Sequence, residues 1–255
     1  MISRYTVWLN DVSLEEIDPS IYVADISYTA ASPEFSTLRL AATDGRYSGK
    51  GDYIKEAKIS VSFEVHEYRT ERRQEIVQNV AIWASKGGWL KTSDRMSQRI
   101  YVKPTRLPAV VSVMRWTDNL SVEFTAFDFP FWVDEYPTEI TLARNGSGSL
   151  FVPGMRSTPA ELSVTATAAV SRVEVHAGDS TLILQRLGLV SGDVLTVSYT
   201  DEHHILEIKN GNTSLLDKRT AESDDDLIVS PGVNTVSFSA NGNSNCVISV
   251  RGVYV

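Results

Sequence analysis

His203 and His204 stand side by side, as paired metal ligands sometimes do. On a strand, neighbouring side chains point to opposite faces, so both imidazoles reach one ion only through a bulge or turn, and the pair reads as a polar hairpin end. Asp224-Asp225-Asp226 gathers three carboxylates. A calcium loop needs oxygens at alternate positions and a closing Glu, which this run lacks, so it reads as a solvated acidic loop. Cys246 is the one cysteine, and with Asn245 and Val247 beside it nothing basic lowers its thiol pKa; a buried structural thiol is expected. His66 and His176 lie in alternating runs that predict core-edge or surface imidazoles. No serine sits in a G-x-S-x-G turn, and neither a Walker-type nor a strand-linked dinucleotide glycine motif occurs. Carboxylate pairs for glycoside hydrolysis are defined by their separation in space, which a sequence with 32 acidic residues cannot specify. The expected catalytic, cofactor and metal sets are all empty: none of these residues is assigned a site role, and no enzyme is expected.

The elements around these residues are mainly strands. Apolar and polar residues alternate over Ala57 to Glu67, Ala109 to Trp116, Leu120 to Phe127, Glu161 to Ala166 and Val194 to Tyr199, each placing one apolar face on a core. The short Thr117-Asp118-Asn119 link predicts a hairpin over Ala109 to Phe127, and Asn210-Gly211 after Ile205 to Lys209 predicts a second, with both turn residues at positive φ. One segment has helical period. From Thr70 to Lys86, Ile76, Val80 and Trp83 recur at i, i+4 and i+7, with Val77, Ala81 and Ala84 beside them. Thr70 is the expected N-cap, Glu71 suits the positive end of the dipole, and Gly87-Gly88 supplies the left-handed stop.

A boundary is expected between Phe131 and Ser149, where the aromatic cluster Phe127, Phe129, Phe131, Trp132 and Tyr136 gives way to Asn145-Gly146-Ser147-Gly148-Ser149, read as a release of the chain. Two domains follow, 1–137 and 138–255. Trp8, Trp83, Trp89, Trp116 and Trp132 all precede the boundary, in periodic segments where core packing is expected. Beyond it, Gly178-Asp179, Ser191-Gly192-Asp193, Asn210-Gly211 and Pro231-Gly232 punctuate Val-, Ser- and Thr-rich runs as in a β-sandwich. Only Phe151, Tyr199, Phe238 and Tyr254 are aromatic there, so that sandwich is poorly equipped to stack sugars and reads as a docking or accessory module without hydrolytic activity.

The whole chain of 255 residues has 24 basic and 32 acidic residues, a formal charge of −8. Neither half is basic: 16 against 19 up to Pro137, and 8 against 13 after it. A phosphate-neutralising surface is therefore not expected. Met1 to Glu15 lacks the apolar stretch of a signal peptide, and no run of about 18 apolar residues could span a bilayer, so a chain made in a cytoplasm, without membrane contact, is expected. The sequons at Asn119, Asn145 and Asn212 then carry no meaning.

Read in order, Thr43-Asp44-Gly45-Arg46, the strand Ile59 to Glu67, the helix with Glu71-Arg72 and Trp83, Trp89-Leu90, Ile100-Tyr101-Val102 and Phe127-Asp128-Phe129-Pro130-Phe131 form a series. Ser230-Pro231-Gly232-Val233-Asn234-Thr235-Val236 and a last strand ending Val250 to Val255 complete it. The series resembles the distal tail protein family of long-tailed, non-contractile bacteriophages. The resemblance implies an N-terminal β-sandwich-like domain with one helix and an extended hairpin, assembled as a hexameric ring, and an outer galectin-like or carbohydrate-module-like sandwich. It also implies a virion location at the tail tip, with the tail tube protein, the tail-associated lysin and receptor-binding proteins as partners. DNA would pass the lumen without specific binding, which a net negative chain suits. Two other readings stay open on the residues: a free-standing carbohydrate-binding two-domain protein and a glycan-degrading enzyme.

Overall fold

The computed structural model describes residues 5–32, 36–39, 46–49, 55–109, 120–201 and 205–255. The protein is mainly β and divides into two compact units, residues 1–132 with 255, and residues 133–254.

In the first unit, β1 (Val7–Leu9), β2 (Val12–Ser13), α1 (Leu14–Ile17) and β3 (Ile21–Thr29) precede a two-stranded antiparallel sheet of β4 (Ser36–Arg39) and β5 (Arg46–Gly49). β6 (Ala57–Val65), α2 (Thr70–Ser85), β7 (Gly88–Thr92), β8 (Gln98–Arg106) and β9 (Leu120–Ala126) follow. The strands order β2-β1-β7-β8-β9-β6-β3, every neighbouring pair antiparallel. Alternation does what it predicts. Ile59, Val61, Phe63 and Val65 of β6 are buried together with Val122 and Phe124 of β9 and Ile100 and Val102 of β8. Helix α2 contributes Ile76, Val77, Val80, Trp83 and Ala84 to the core, and the Trp83 ring meets Phe124 edge-on at 6.2 Å.

One local expectation changes. The N-cap of α2 is Arg69, which makes no side-chain cap bond; Thr70 is the first helical residue, and its hydroxyl accepts from Arg73. Buried Arg73 also donates to the carbonyls of Glu67 and Tyr68, so it ties down the turn that a cap would otherwise close. The one-turn helix α1 was not anticipated, although its signal is in the sequence: Ser13 and Glu16 form a capping box, each side chain accepting from the other's backbone N–H at 3.2 Å. In the hairpin expected over Ala109 to Phe127, the first arm lies almost wholly outside the described residues. The second arm is β9, which pairs with β6 and β8.

The second unit contains β10 (Trp132–Asp134, whose first residue belongs to unit one), β11 (Thr138–Ala143), β12 (Gly146–Val152), β13 (Thr158–Pro159), β14 (Glu161–Ala166), β15 (Val170–Ala177), β16 (Ser180–Leu189) and β17 (Val194–Tyr199). It continues with β18 (Leu206–Asn210), β19 (Thr213–Ser214), β20 (Ile228–Val229), β21 (Gly232–Ala240), β22 (Ser244–Val250) and β23 (Val253–Tyr254). One sheet runs β11-β22-β14-β17-β18-β19 and the other β12-β21-β15-β16. The chain changes sheets at β11–β12, β12–β14, β14–β15, β16–β17, β19–β21 and β21–β22, so the inner faces of both sheets share one core, including Leu142, Val164, Val175, Leu184, Phe238, Cys246 and Ile248.

Asn145 to Ser149, read from composition as a flexible release, is instead β12 from Gly146 onward, paired from Gly146↔Phe238 to Val152↔Gly232. Its glycines serve close approach. A Cβ on Gly148 would stand 2.5 Å from Ile140 Cδ1 and 3.3 Å from Leu142 Cδ2. The Asn210-Gly211 hairpin exists one residue later than expected: Asn210 pairs with Thr213, the loop is Gly211-Asn212, and only Gly211 has positive φ, at 56°. The type I′ signature falls at Asn10-Asp11, with φ of 51° and 64°, between β1 and β2. Pro231 leads into β21, whose first residue, Gly232, takes a positive φ of 101°.

Candidate assembly surface

Strands β1, β7 and β8 turn one set of side chains to the core and the alternate set outward. Val7, Leu9, Leu90, Thr92, Ile100 and Val102 are buried; Trp8, Trp89, Lys91, Arg99, Tyr101 and Lys103 are half-buried on the opposite face. Register brings these outward residues together. Trp8 lies opposite Lys91, and Trp89 opposite Tyr101. The Lys91 ammonium stands 5.7 Å from the Trp8 ring centre, the Arg99 guanidinium 4.1 Å from that of Trp89, and the Trp89 and Tyr101 rings meet edge-on at 5.5 Å. Asn10 seats this array: its Nδ2 donates to Gly87 O at 2.8 Å and its Oδ1 accepts from Trp89 N at 3.0 Å. Gly88, at φ 120°, makes room, because a Cβ there would meet the Asn10 amide at 2.1 Å.

Periodicity had placed every tryptophan in the core. Trp83 and Trp132 are buried, Trp116 lies outside the described residues, and Trp8 and Trp89 face outward. The missed signal is the register itself, since Val7 and Leu9 flank Trp8, and Gly88 and Leu90 flank Trp89. Trp, Tyr and Arg are the residue types that carry most binding energy at protein interfaces. What this surface can do chemically is bury rings and desolvate cations against another protein.

The turn after β7 is held by a separate cluster. The Tyr28 hydroxyl donates to the Asp94 carboxylate at 2.8 Å and lies 3.0 Å from Thr92 Oγ1, while Arg95 packs over the Tyr28 and Trp132 rings at 5.3 and 4.8 Å. Burial, then the Asp94 carboxylate, pushes the Tyr28 phenol well above its ordinary pKa.

The other singled-out residues are in structural roles or undescribed. His203-His204 lies outside the described residues. Asp224 accepts from Thr181 N at 2.7 Å and Asp225 from Arg219 at 3.0 Å, and all three aspartates stay exposed, Asp225 with 95% of its side chain, as in a solvated acidic loop. Cys246 is fully buried in β22, and burial pushes its thiol up to about 12. His66 bonds Glu64 at 3.0 Å; His176 Nε2 bonds Glu174 and its Nδ1 Thr181, each at 2.9 Å. Among the described residues no three His, Cys, Asp or Glu side chains are grouped to hold a metal, and no helix is long and apolar enough to cross a membrane.

The fold, a helix-bearing antiparallel sheet and a two-sheet sandwich, has counterparts among solved structures. Among solved structures, the crystal structure of the Dit protein of phage SPP1, described as a paradigm of the hub adsorption apparatus in phages infecting Gram-positive bacteria, matches 97% of this chain and 98% of that one at a TM-score of 0.72 and 16% identity. A chain of the phage P2 baseplate in its activated conformation with Ca matches 99% and 98% at 0.59 and 7% identity, and one with Sr matches 97% of both at 0.54 and 8%. No protein-family model and no curated protein matches the sequence, so the likeness is one of fold.

Proposed function

We propose that this chain is the structural hub of a long non-contractile phage tail. Six copies close into a ring that joins the tail tube to the adsorption device and lets DNA pass. Residues 1–137 build the ring, and 138–255 decorate its outside as a docking module for receptor-binding proteins. The tail tube protein and the tail-associated lysin are its neighbours along the axis, the virion tail tip is its location, and no catalysis is assigned to it. The observation that carries this reading is the end-to-end fold match to the SPP1 hub protein. The aromatic and cationic face of the first unit supports it, because a closed ring needs a heterologous contact on every copy. Such a face is also better buried between neighbours than turned to a DNA passage, where Lys91, Arg99 and Lys103 would bind phosphate. Negative-stain microscopy and light scattering of the purified full chain test the reading. Closed six-fold rings with an axial hole are expected, and a strictly monomeric protein at every accessible concentration would refute it.

A further inference from the structure

Three Asn-Gly pairs occur in the chain, Asn145-Gly146, Asn210-Gly211 and Asn241-Gly242, all in the second unit and each where one strand gives way to the next. Their intrinsic chemistry is the same. With no side chain on the glycine, its backbone nitrogen can reach the asparagine Cγ, close a five-membered succinimide and expel ammonia. What differs is how the fold holds each carboxamide.

Asn241 is held at both ends. Its Oδ1 accepts from Ser171 N and Arg172 N, both at 3.0 Å, and its Nδ2 donates to Ser171 Oγ at 2.7 Å. A Cβ on Gly242 would stand 2.0 Å from Ala169 O, so backbone walls this turn as well. Asn145 Oδ1 accepts from Ala240 N at 3.4 Å, and a Cβ on Gly146 would stand 2.7 Å from Ala143 O. Either carboxamide must break its bonds and turn within a crowded loop before its Cγ can meet the next nitrogen. Asn210 meets neither obstacle. Among the described residues none bonds its carboxamide, Gly211 is exposed, and a Cβ there would meet nothing within 4 Å. Beyond the turn, β19 is two exposed residues at the end of its sheet, paired with β18 through Asn210↔Thr213 and Lys209↔Ser214. Little opposes the opening of so short an edge.

We infer that Asn210 is a site of spontaneous deamidation, the one Asn-Gly pair of the three that reacts while the protein is folded. Gly211 N bonds to Asn210 Cγ and gives up its proton, the Cγ–Nδ2 bond breaks, and ammonia leaves. Water then opens the succinimide at either carbonyl, giving aspartate or, with the chain rerouted through Cγ, isoaspartate. Both products add a carboxylate to a chain already at a formal −8. Isoaspartate also inserts a methylene into the backbone at the residue that closes the hairpin, so the Asn210↔Thr213 pairing is lost. The disturbance stops at the next residue after β19. Leu215 N donates to Ile208 O at 2.7 Å, and both side chains are buried, so the edge strand is released while the core stays closed.

The test ages the full chain in mildly alkaline buffer, digests it rapidly in acid and maps it by mass spectrometry, with isoaspartyl methyltransferase labelling to separate the two products. Conversion at Asn210 should be about tenfold or more faster than at Asn145 or Asn241, the factor set by one or two net hydrogen bonds. In urea, where the fold no longer distinguishes the pairs, the three rates should converge. Asn210→Gln should abolish both the acidic product and the labelling of that peptide. Freshly prepared Asn210→Asp carries the charge without the inserted methylene, so its β18–β19 amides should stay protected in hydrogen exchange, whereas the isoaspartyl protein loses that protection. An intact Asn210 after ageing, native rates that fail to separate the three pairs, or a separation that persists in urea would each overturn the proposal.

Discussion

The outward sheet faces of the two units differ in the chemistry they offer. In the first unit, β1, β7 and β8 present Trp8, Trp89 and Tyr101 interleaved with Lys91 and Arg99. In the second, β12, β21 and β15 present Ser147, Ser149, Thr235, Ser237 and Ser239 around the Arg172, Glu174 and His176 line, in which Arg172 and His176 both bond Glu174 at 2.9 Å. Rings and weakly hydrated guanidinium groups gain by leaving water, so the first face is suited to permanent burial against protein. Hydroxyls lose little by staying wet, so the second suits exchangeable, hydrogen-bonding ligands. The two faces therefore differ in residue type, the first suited to burial and the second to staying wet.

The comparison breaks most visibly if the two units do not fold on separate cores. Trp83 is 5% exposed, meets Phe124 edge-on, and its indole donates to Val12 O at 3.1 Å. Trp83→Ala should cost about 3–5 kcal/mol and abolish or strongly lower the first unit's transition while leaving the second's in place. Phe238→Ala, at 1% exposure in the other core, should do the reverse at similar cost. Differential scanning calorimetry reads both; equal effects of either variant on a single transition would show that the units are one cooperative body.

The next effect separates the outward faces. Trp89→Ala and Arg99→Glu should each remove about 2 kcal/mol or more per subunit contact and dissolve the ring by light scattering, with little change in melting of the isolated subunit. Ser237→Ala and Ser239→Ala should leave assembly intact. Rings that survive both first-unit changes would move the contact elsewhere.

Gly148 sharpens the comparison inside the second unit. A flexible linker would accept alanine, whereas a strand pressed on Ile140 would not. With a Cβ only 2.5 Å from Ile140 Cδ1, Gly148→Ala should destabilise this unit by about 1–3 kcal/mol through overpacking. A silent substitution, measured by urea unfolding, would restore the linker reading.

That segment also shows where the sequence is legible. The strands at Glu161–Ala166 and Val194–Tyr199 match the read limits because alternation in a half-buried sheet is a local signal. Helix α2 and its Gly87 stop, at φ 59°, are local as well. Gly146 to Ser149 was misread because composition cannot distinguish a glycine that gives freedom from one that admits a facing side chain; only Ile140 and Leu142 decide it. The outward tryptophans were legible in register but masked by the prior that large rings are buried. The approach of Gly178 to Asn234 was not legible, since the two meet only after β15 and β21 pair.

The smallest effect concerns charge at the start of the first unit. Asp18 accepts from Ser20 N at 2.9 Å, from the Ser20 hydroxyl, and from Arg72 at 2.8 Å. Burial alone would raise its carboxyl, but the Ser20 bonds and then the Arg72 guanidinium outweigh that and hold it below the ordinary 3.8. A carboxyl depressed in the folded state stabilises fully above its unfolded pKa, and the contribution is lost as pH falls through the folded value, below 3.8. The Arg72 side chain is 43% exposed, so solvent screens the pair and about 1 kcal/mol or less is at stake. Asp18→Asn should therefore lower the first unit's urea midpoint modestly at pH 7. The gap should narrow once the pH drops below 4 and shrink in molar salt, while the second unit's midpoint stays level between variants. A gap of equal size at pH 7 and pH 3 would mean that the shape of Asp18, and not its charge, holds α1 to α2.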